Sequence, residues 1–282
     1  DADAADAGED GMLFVPPGTF TMGADSGGEE DEHPAHRVTL AGFWLDRTPV
    51  TNAAYGKCAR AGVCRPSGEH DAKYERPLQP VVYVSWDDAK AYCAWAGKRL
   101  PREAEYERAM RGDDGRRYAW GNEAPTPERA AFGRLLDFGA TDDVGTHPAG
   151  RGPYGHDDLA GDVWEWMEDE YDPYAYRRAT ADRGTPGTCA EIVATENDLR
   201  ARGVDGFTGS NPIPRGCDRV RRGGAFNYDA PGLRATRPPR PWLMLSLAPG
   251  RSPLPCHCGH ARRRKTGAHP RSASASRPPA RR

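Results

Sequence analysis

The chain has 282 residues, of which 37% are hydrophobic, with 33 Gly, 26 Pro, 7 Trp and 11 Tyr. This favours one loop-rich domain of short elements filled by large aromatic side chains. No apolar run reaches the length of a membrane span, so no membrane-spanning helix is expected, and no G-x-G-x-x-G or P-loop follows a strand, so nucleotide binding has no support. The formal net charge of -2 hides an asymmetry: residues 238–282 hold ten Lys or Arg and no acid, which leaves 29 basic against 41 acidic groups in residues 1–237.

In chain order, residues 1–11 (DADAADAGEDG) form an acidic, Ala-rich segment without periodicity. It reads as a disordered spacer of the kind that follows a secretory or lipoprotein leader, which points to an extracytoplasmic protein. Residues 12–23 (MLFVPPGTFTMG) predict two short strands joined in a hairpin at Pro16-Pro17-Gly18, and residues 36–45 predict two more. Thr51 caps a helix that places Ala53, Ala54, Tyr55, Cys58 and Ala59 at helical spacing and ends near Gly62. Residues 80–85 (PVVYVS) predict a strand running into a second helix, with Ser85 as N-cap, Asp87 and Asp88 in its first turn, and Gly97 as its stop. A third helix starts at Pro101 and runs from Glu103 to Arg111. Beyond Gly112 the pattern is turns and very short strands until residues 220–226 (VRRGGAF). The fold class is therefore α+β.

Seven cysteines are placed informatively. Cys58 and Cys64 bracket a six-residue step that one turn closes into a disulfide. Cys189 and Cys217 flank a Gly/Asp-rich insertion with little core of its own, where a second disulfide would remove much unfolded-state entropy. Cys93, on the apolar stripe of the second helix, reads as a buried structural thiol.

Six segments occur in a telling order: PPGTFTMG at 16–23, TPVTNAAYGKC at 48–58, the 80–112 stretch containing SWDDAKAYCAWAGKRLPREAEYERAMRG, YAWGN at 118–122, AGDVWEWMEDEY at 160–171 and RRGGAFNYDAPGLRATR at 221–237. Together they resemble the formylglycine-generating enzyme, or sulfatase-modifying factor, family over residues 12–237. The resemblance implies a C-type-lectin-like α+β fold that is poor in regular structure and often calcium-stabilised. Active members of that family oxidise a sulfatase cysteine to formylglycine with O2 and a Cu(I) ion held by two cysteines, because the soft ion prefers thiolates. Counted from Gly223-Gly224, the two matching positions here are Tyr228 and Leu233. Neither ligates Cu(I), so copper and the family's catalysis are not expected. The resemblance also implies a calcium loop at Gly161, Asp162, Val163 and Glu165, where hard oxygen donors lie on a tight turn. The other reading of this loop puts Trp164 and Trp166 in the core and pairs Glu165 with an Arg. A second family calcium loop is not supported, since Ala131 and Phe132 follow Ala130. Arg102 stands where a capping Thr is usual and Tyr106 where Trp is usual, so the third helix is expected to lack its cap. His33 and His36 fit a loop entering a strand better than a metal site.

Residues 238–282 contain nine prolines and no apolar periodicity. They read either as a basic disordered tail or as a frame-shifted end of a GC-rich gene, and their composition favours the second. Nucleic-acid binding through them is not expected, and the Cys256-His257-Cys258-Gly259-His260 cluster has no second half-site. The expectation for function is a secreted, non-catalytic binding or accessory module that presents residues 113–160 and 172–219 to a protein or glycan. The alternative is an oxidase acting on a sulfatase polypeptide, with Cys256 and Cys258 supplying the copper ligands.

Overall fold

Four strands come from residues 12–46, and their pairing follows from where the backbone lacks donors. In the computed structural model, which describes residues 11–68, 71–178, 181–203, 217–236 and 259–260, β1 (Met12–Val15) and β2 (Gly18–Met22) do not form the expected hairpin. Pro16 and Pro17 between them have no N–H to close a ladder, and they turn the chain from one sheet into another. Instead β1 pairs antiparallel with β4 (Phe43–Asp46), and β2 with β3 (His36–Leu40). Alternation then buries Val15, Phe43 and Leu45 in one core cluster and Phe20, Met22 and Val38 in another.

The first two helices are specified locally. In α1 (Asn52–Arg60) Thr51 Oγ1 accepts from Ala54 N at 3.2 Å. In α2 (Trp86–Trp95) Ser85 and Asp88 form a reciprocal capping box. The start of α3 (Glu103–Arg111) departs from expectation. Arg102 offers no side-chain acceptor, but Glu105 accepts from Arg102 N at 2.8 Å and Asp169 accepts from Glu103 N at 2.6 Å. Two amides at the start of the helix are thus satisfied by carboxylates, one of them from another strand.

Residues 80–85 are not a strand. Pro80 makes a single bridge to Thr51, and Tyr83 sits at φ 58. The run of β-branched residues reports burial instead: Val81 and Val84 pack with Val50, Tyr55 and Leu100, while Val82 packs on the other side with Tyr74, Val163 and Phe226.

The second half is carried by β5 (Glu165–Glu170), α4 (Cys189–Ala201) and β6 (Arg219–Arg222), with β5 and β6 antiparallel. The α4 segment corrects the expectation of only turns and very short strands beyond Gly112. It is the longest helix among the described residues, started by a Thr188/Glu191 capping box, and it buries Ile192 and Glu196. Glu196 accepts from Tyr174 Oη at 2.7 Å. A short β7 (Gly259–His260) adds to β4, with Leu45 opposite Gly259. The acidic spacer up to Asp10, most of residues 238–282 and the Cys256 to Cys258 part of the histidine-cysteine cluster lie outside the described residues.

Disulfides join Cys58 to Cys64 and Cys189 to Cys217. Cys93 is also disulfide-bonded, not a free thiol. The apolar stripe that predicts its burial carries no information about the bonding state of its sulfur. No helix among the described residues is long and apolar enough to cross a membrane.

Candidate functional site

The site is built where β6 ends. Gly223 and Gly224 turn the chain with φ of 100° and 85°, a region open to glycine. Space demands glycine there as well, since a Cβ on Gly223 would stand 3.0 Å from Tyr106 Oη and one on Gly224 would stand 2.8 Å from the Gly232 carbonyl oxygen. Backbone bonds from Gly161 N to Gly223 O at 2.8 Å and from Phe226 N to Asp162 O at 2.9 Å then zip residues 158–165 to the turn.

Beneath the turn lies a fully buried ion pair. Arg222 Nη2 donates to Glu107 Oε2 on α3, and Glu107 also accepts from Gly23 N at 2.8 Å and from Arg111 at 3.1 Å. Glu103 lies 3.5 Å from Arg222, and burial pushes its carboxyl up to about 8. This network fixes β6, α3 and the end of β2 relative to one another.

The two positions that the resemblance assigns to copper thiolates are occupied by packed side chains. The ring of Tyr228 stands edge-on to Trp164, with centroids 5.3 Å apart. Leu233 is completely buried with Val15, Phe43 and Leu45. The two side chains belong to different packing clusters, so they do not face one open cleft.

The four residues assigned to calcium are close in sequence, but their oxygens make different bonds. Asp162 Oδ1 accepts from Asp142 N at 2.9 Å, and burial raises its carboxyl well above the usual range. The Gly161 carbonyl accepts from Val163 N at 2.6 Å. Glu165 turns the other way and accepts from Tyr106 Oη at 2.6 Å. The Leu159 carbonyl lies 3.0 Å from the same hydroxyl. The Val163 and Leu159 carbonyls and the Tyr106 hydroxyl all border Gly223, and that hydroxyl bonds the buried Glu165 carboxylate, so hard oxygens gather at this turn. Val163 and Glu165 therefore suit a hard cation, while the side chain of Asp162 points into the Asp142 loop. Asp142 itself is paired with Arg134 and His147 and is held far below the ordinary carboxylate range, chiefly by the His147 hydrogen bond.

Tyr106, Leu159 and the Glu107–Arg222 pair are the site residues that sequence reasoning missed. Glu103 and Glu107 stand four apart on α3, and a carboxylate pair on the inward face of a helix was the available signal. His36 Nδ1 lies 3.1 Å from the Pro34 carbonyl and its ring packs on Tyr176 at 4.7 Å.

A lectin-like α+β scaffold with an Arg-Gly-Gly turn zipped to a Gly-Asp-Val-Trp-Glu loop is the frame of one family. The chain belongs to the sulfatase-modifying factor enzyme 1-like domain family, which it matches over residues 2–239. The formylglycine-generating enzyme of Streptomyces coelicolor is 35% identical over 241 residues, covering 65% of this chain and 76% of that protein. The inactive C-alpha-formylglycine-generating enzyme 2 of Bos taurus is 32% identical over 213 residues, covering 57% of this chain and 71% of that protein. Hercynine oxygenase of Mycobacterium tuberculosis is 33% identical over 193 residues, but they span only 45% of its length. Among solved structures, PvdO from Pseudomonas aeruginosa superposes with a TM-score of 0.62 at 24% identity, covering 90% of this chain and 96% of that one. That likeness establishes the fold.

Proposed function

We propose that this chain is a non-catalytic binding or accessory module of its family, which displays its loops to a protein or glycan. The observation that carries this reading is the packing of Tyr228 on Trp164 and of Leu233 in the core. Neither position offers a thiolate, and a soft Cu(I) ion has no sulfur pair there. The loop beside them supports a contact role. Gly133 N and Arg134 N bond to the carbonyls of Tyr228 and Phe226, and the same loop exposes Leu135 by 71% and Phe138 by 86%. Exposed apolar side chains held on an anchored loop suit a macromolecular partner.

An extracytoplasmic location belongs to this reading, and the two mapped disulfides support it. So does calcium at the oxygen set of Val163 and Glu165, where a divalent cation would supply positive charge beside a buried carboxylate. The oxidase alternative draws on the Streptomyces coelicolor relative, named a formylglycine-generating enzyme, and it needs copper ligands outside positions 228 and 233. The deciding experiment incubates the purified chain with Cu(I), O2 and a C-x-P-x-R peptide and follows the peptide by mass spectrometry. The peptide cysteine is expected to stay intact. Stoichiometric copper uptake with aldehyde formation would overturn the proposal.

A further inference from the structure

We propose that Glu170, Cys189 and Cys217 form a reduction-gated site for a thiophilic divalent cation such as Zn2+. A carboxylate oxygen of Glu170 and the two sulfurs lie within 4.8 Å of one another, and all three residues are half-buried. They are within reach of ions and small reductants, yet shielded enough to hold a ligand.

Three different elements deliver these residues. Glu170 ends β5 opposite Arg219 of β6, and Tyr171 N bonds to Asp218 O at 2.7 Å, so the strand ladder fixes Glu170 and the segment holding Cys217. Cys189 is the first residue of α4, whose start is set by Thr188 and Glu191. A thiol at a helix N-terminus is stabilised as the thiolate, the form that binds metal.

The oxidised pair offers no thiolate. A dithiol reductant gives two electrons and two protons to the Cys189–Cys217 bond, leaving two thiols, and closes to its own disulfide. Zn2+ then displaces the two thiol protons and takes two sulfurs, one Glu170 oxygen and a water, a tetrahedral set. Charge balances locally: two thiolates and one carboxylate meet the divalent ion and Arg219, which lies 3.4 Å from Glu170. The Cys189 end of α4 is then tied to the segment before β6 covalently when oxidised and through the cation when reduced, with Glu170 joining only in the reduced state, so α4 keeps its place in both states.

The test uses Cd2+ as a spectroscopic substitute. The full chain is reduced with dithiothreitol, freed of reductant without air, and titrated while the thiolate-to-cadmium charge-transfer band is read. C189S/C217S treated identically subtracts uptake by the other cysteines. One additional Cd2+ per chain is expected in the reduced wild type and none in the oxidised chain, and E170Q should weaken binding by about tenfold or more. Equal uptake by wild type and C189S/C217S overturns the site, and unchanged affinity in E170Q overturns the role of Glu170. A measurement free of variants covers the case in which C189S/C217S fails to fold. Trypsin cleavage within α4 should rise on reduction and fall again with Cd2+, and cleavage that Cd2+ does not slow would also overturn the proposal.

Discussion

Tyr228 stands edge-on to Trp164, with the ring planes at 89° and the centroids 5.3 Å apart. Such a pair contributes about 0.5–1.5 kcal/mol beyond its buried area, so the side chain at the first copper position stabilises the turn. Leu233, at the second position, is fully buried, and Leu233→Ala is expected to cost about 2–5 kcal/mol in urea unfolding. The double variant Y228C/L233C is expected to produce no peptide aldehyde, because its sulfurs would lie in separate clusters. Copper-dependent conversion by that variant would mean that the loop can rearrange to bring them together.

The Glu107–Arg222 pair joins α3 to β6 across 115 residues of sequence. Glu107→Gln would leave the Arg222 guanidinium buried with a weakened counter-charge, and a loss of about 3–5 kcal/mol is expected. The double variant E107M/R222M should recover part of this, since it removes both charges. Full recovery is not expected, because Gly23 N and Arg111 also use Glu107. Chemical denaturation of the two variants and the wild type checks both statements.

Helix caps were faithful local signals, whereas the Pro-Pro-Gly turn and the 80–85 run misled and long-range pairing was silent. The caps at Thr51 and Ser85 involve residues three apart, so α1 and α2 were legible from the sequence. Thr188 and Glu191 gave the same signal for α4, but Gly184, Pro186 and Gly187 just before them made the region read as turns. Strand partners were not legible, because alternation shows which face is buried and not which strand lies opposite. The cysteine-free positions 228 and 233 could be counted from the Gly-Gly turn. Their packing could not, nor could the separation of Asp162 from Glu165, which depends on opposite side-chain directions in one short loop.

Glu103 makes stability depend on pH. Burial raises its carboxyl from 4.5 to about 8, with Arg222 opposing and Asp169 and Glu107 adding to the rise. The folded state therefore binds a proton that the unfolded chain releases above 4.5, and stability contributed by the protonated form is lost as pH rises from there to about 8. Asp169, raised to about 6 mainly by burial, adds in the lower part of that window. Glu103→Gln should flatten the decline. Denaturation midpoints at several pH values check this, and a slope equally steep in E103Q would exclude Glu103 as its source.

Tyr106 donates a hydrogen bond to the buried Glu165, reaching Oε1 at 2.6 Å. Burial first, and then the neighbouring carboxylate, raise the phenol well above its ordinary range, so it remains a donor at any physiological pH. Tyr106→Phe keeps the ring but removes the donor, and a loss of about 1–3 kcal/mol is expected from the undersatisfied carboxylate. If calcium binds at Glu165 and Val163 as proposed, the added cation compensates that carboxylate. Calcium should then raise the Tm of Y106F more than that of the wild type, and Glu165→Gln should abolish the effect. Thermal unfolding with calcium and with chelator decides the matter. Equal Tm values under the two conditions in both the wild type and Y106F would remove calcium from this loop, leaving the Tyr106 hydroxyl as its permanent substitute.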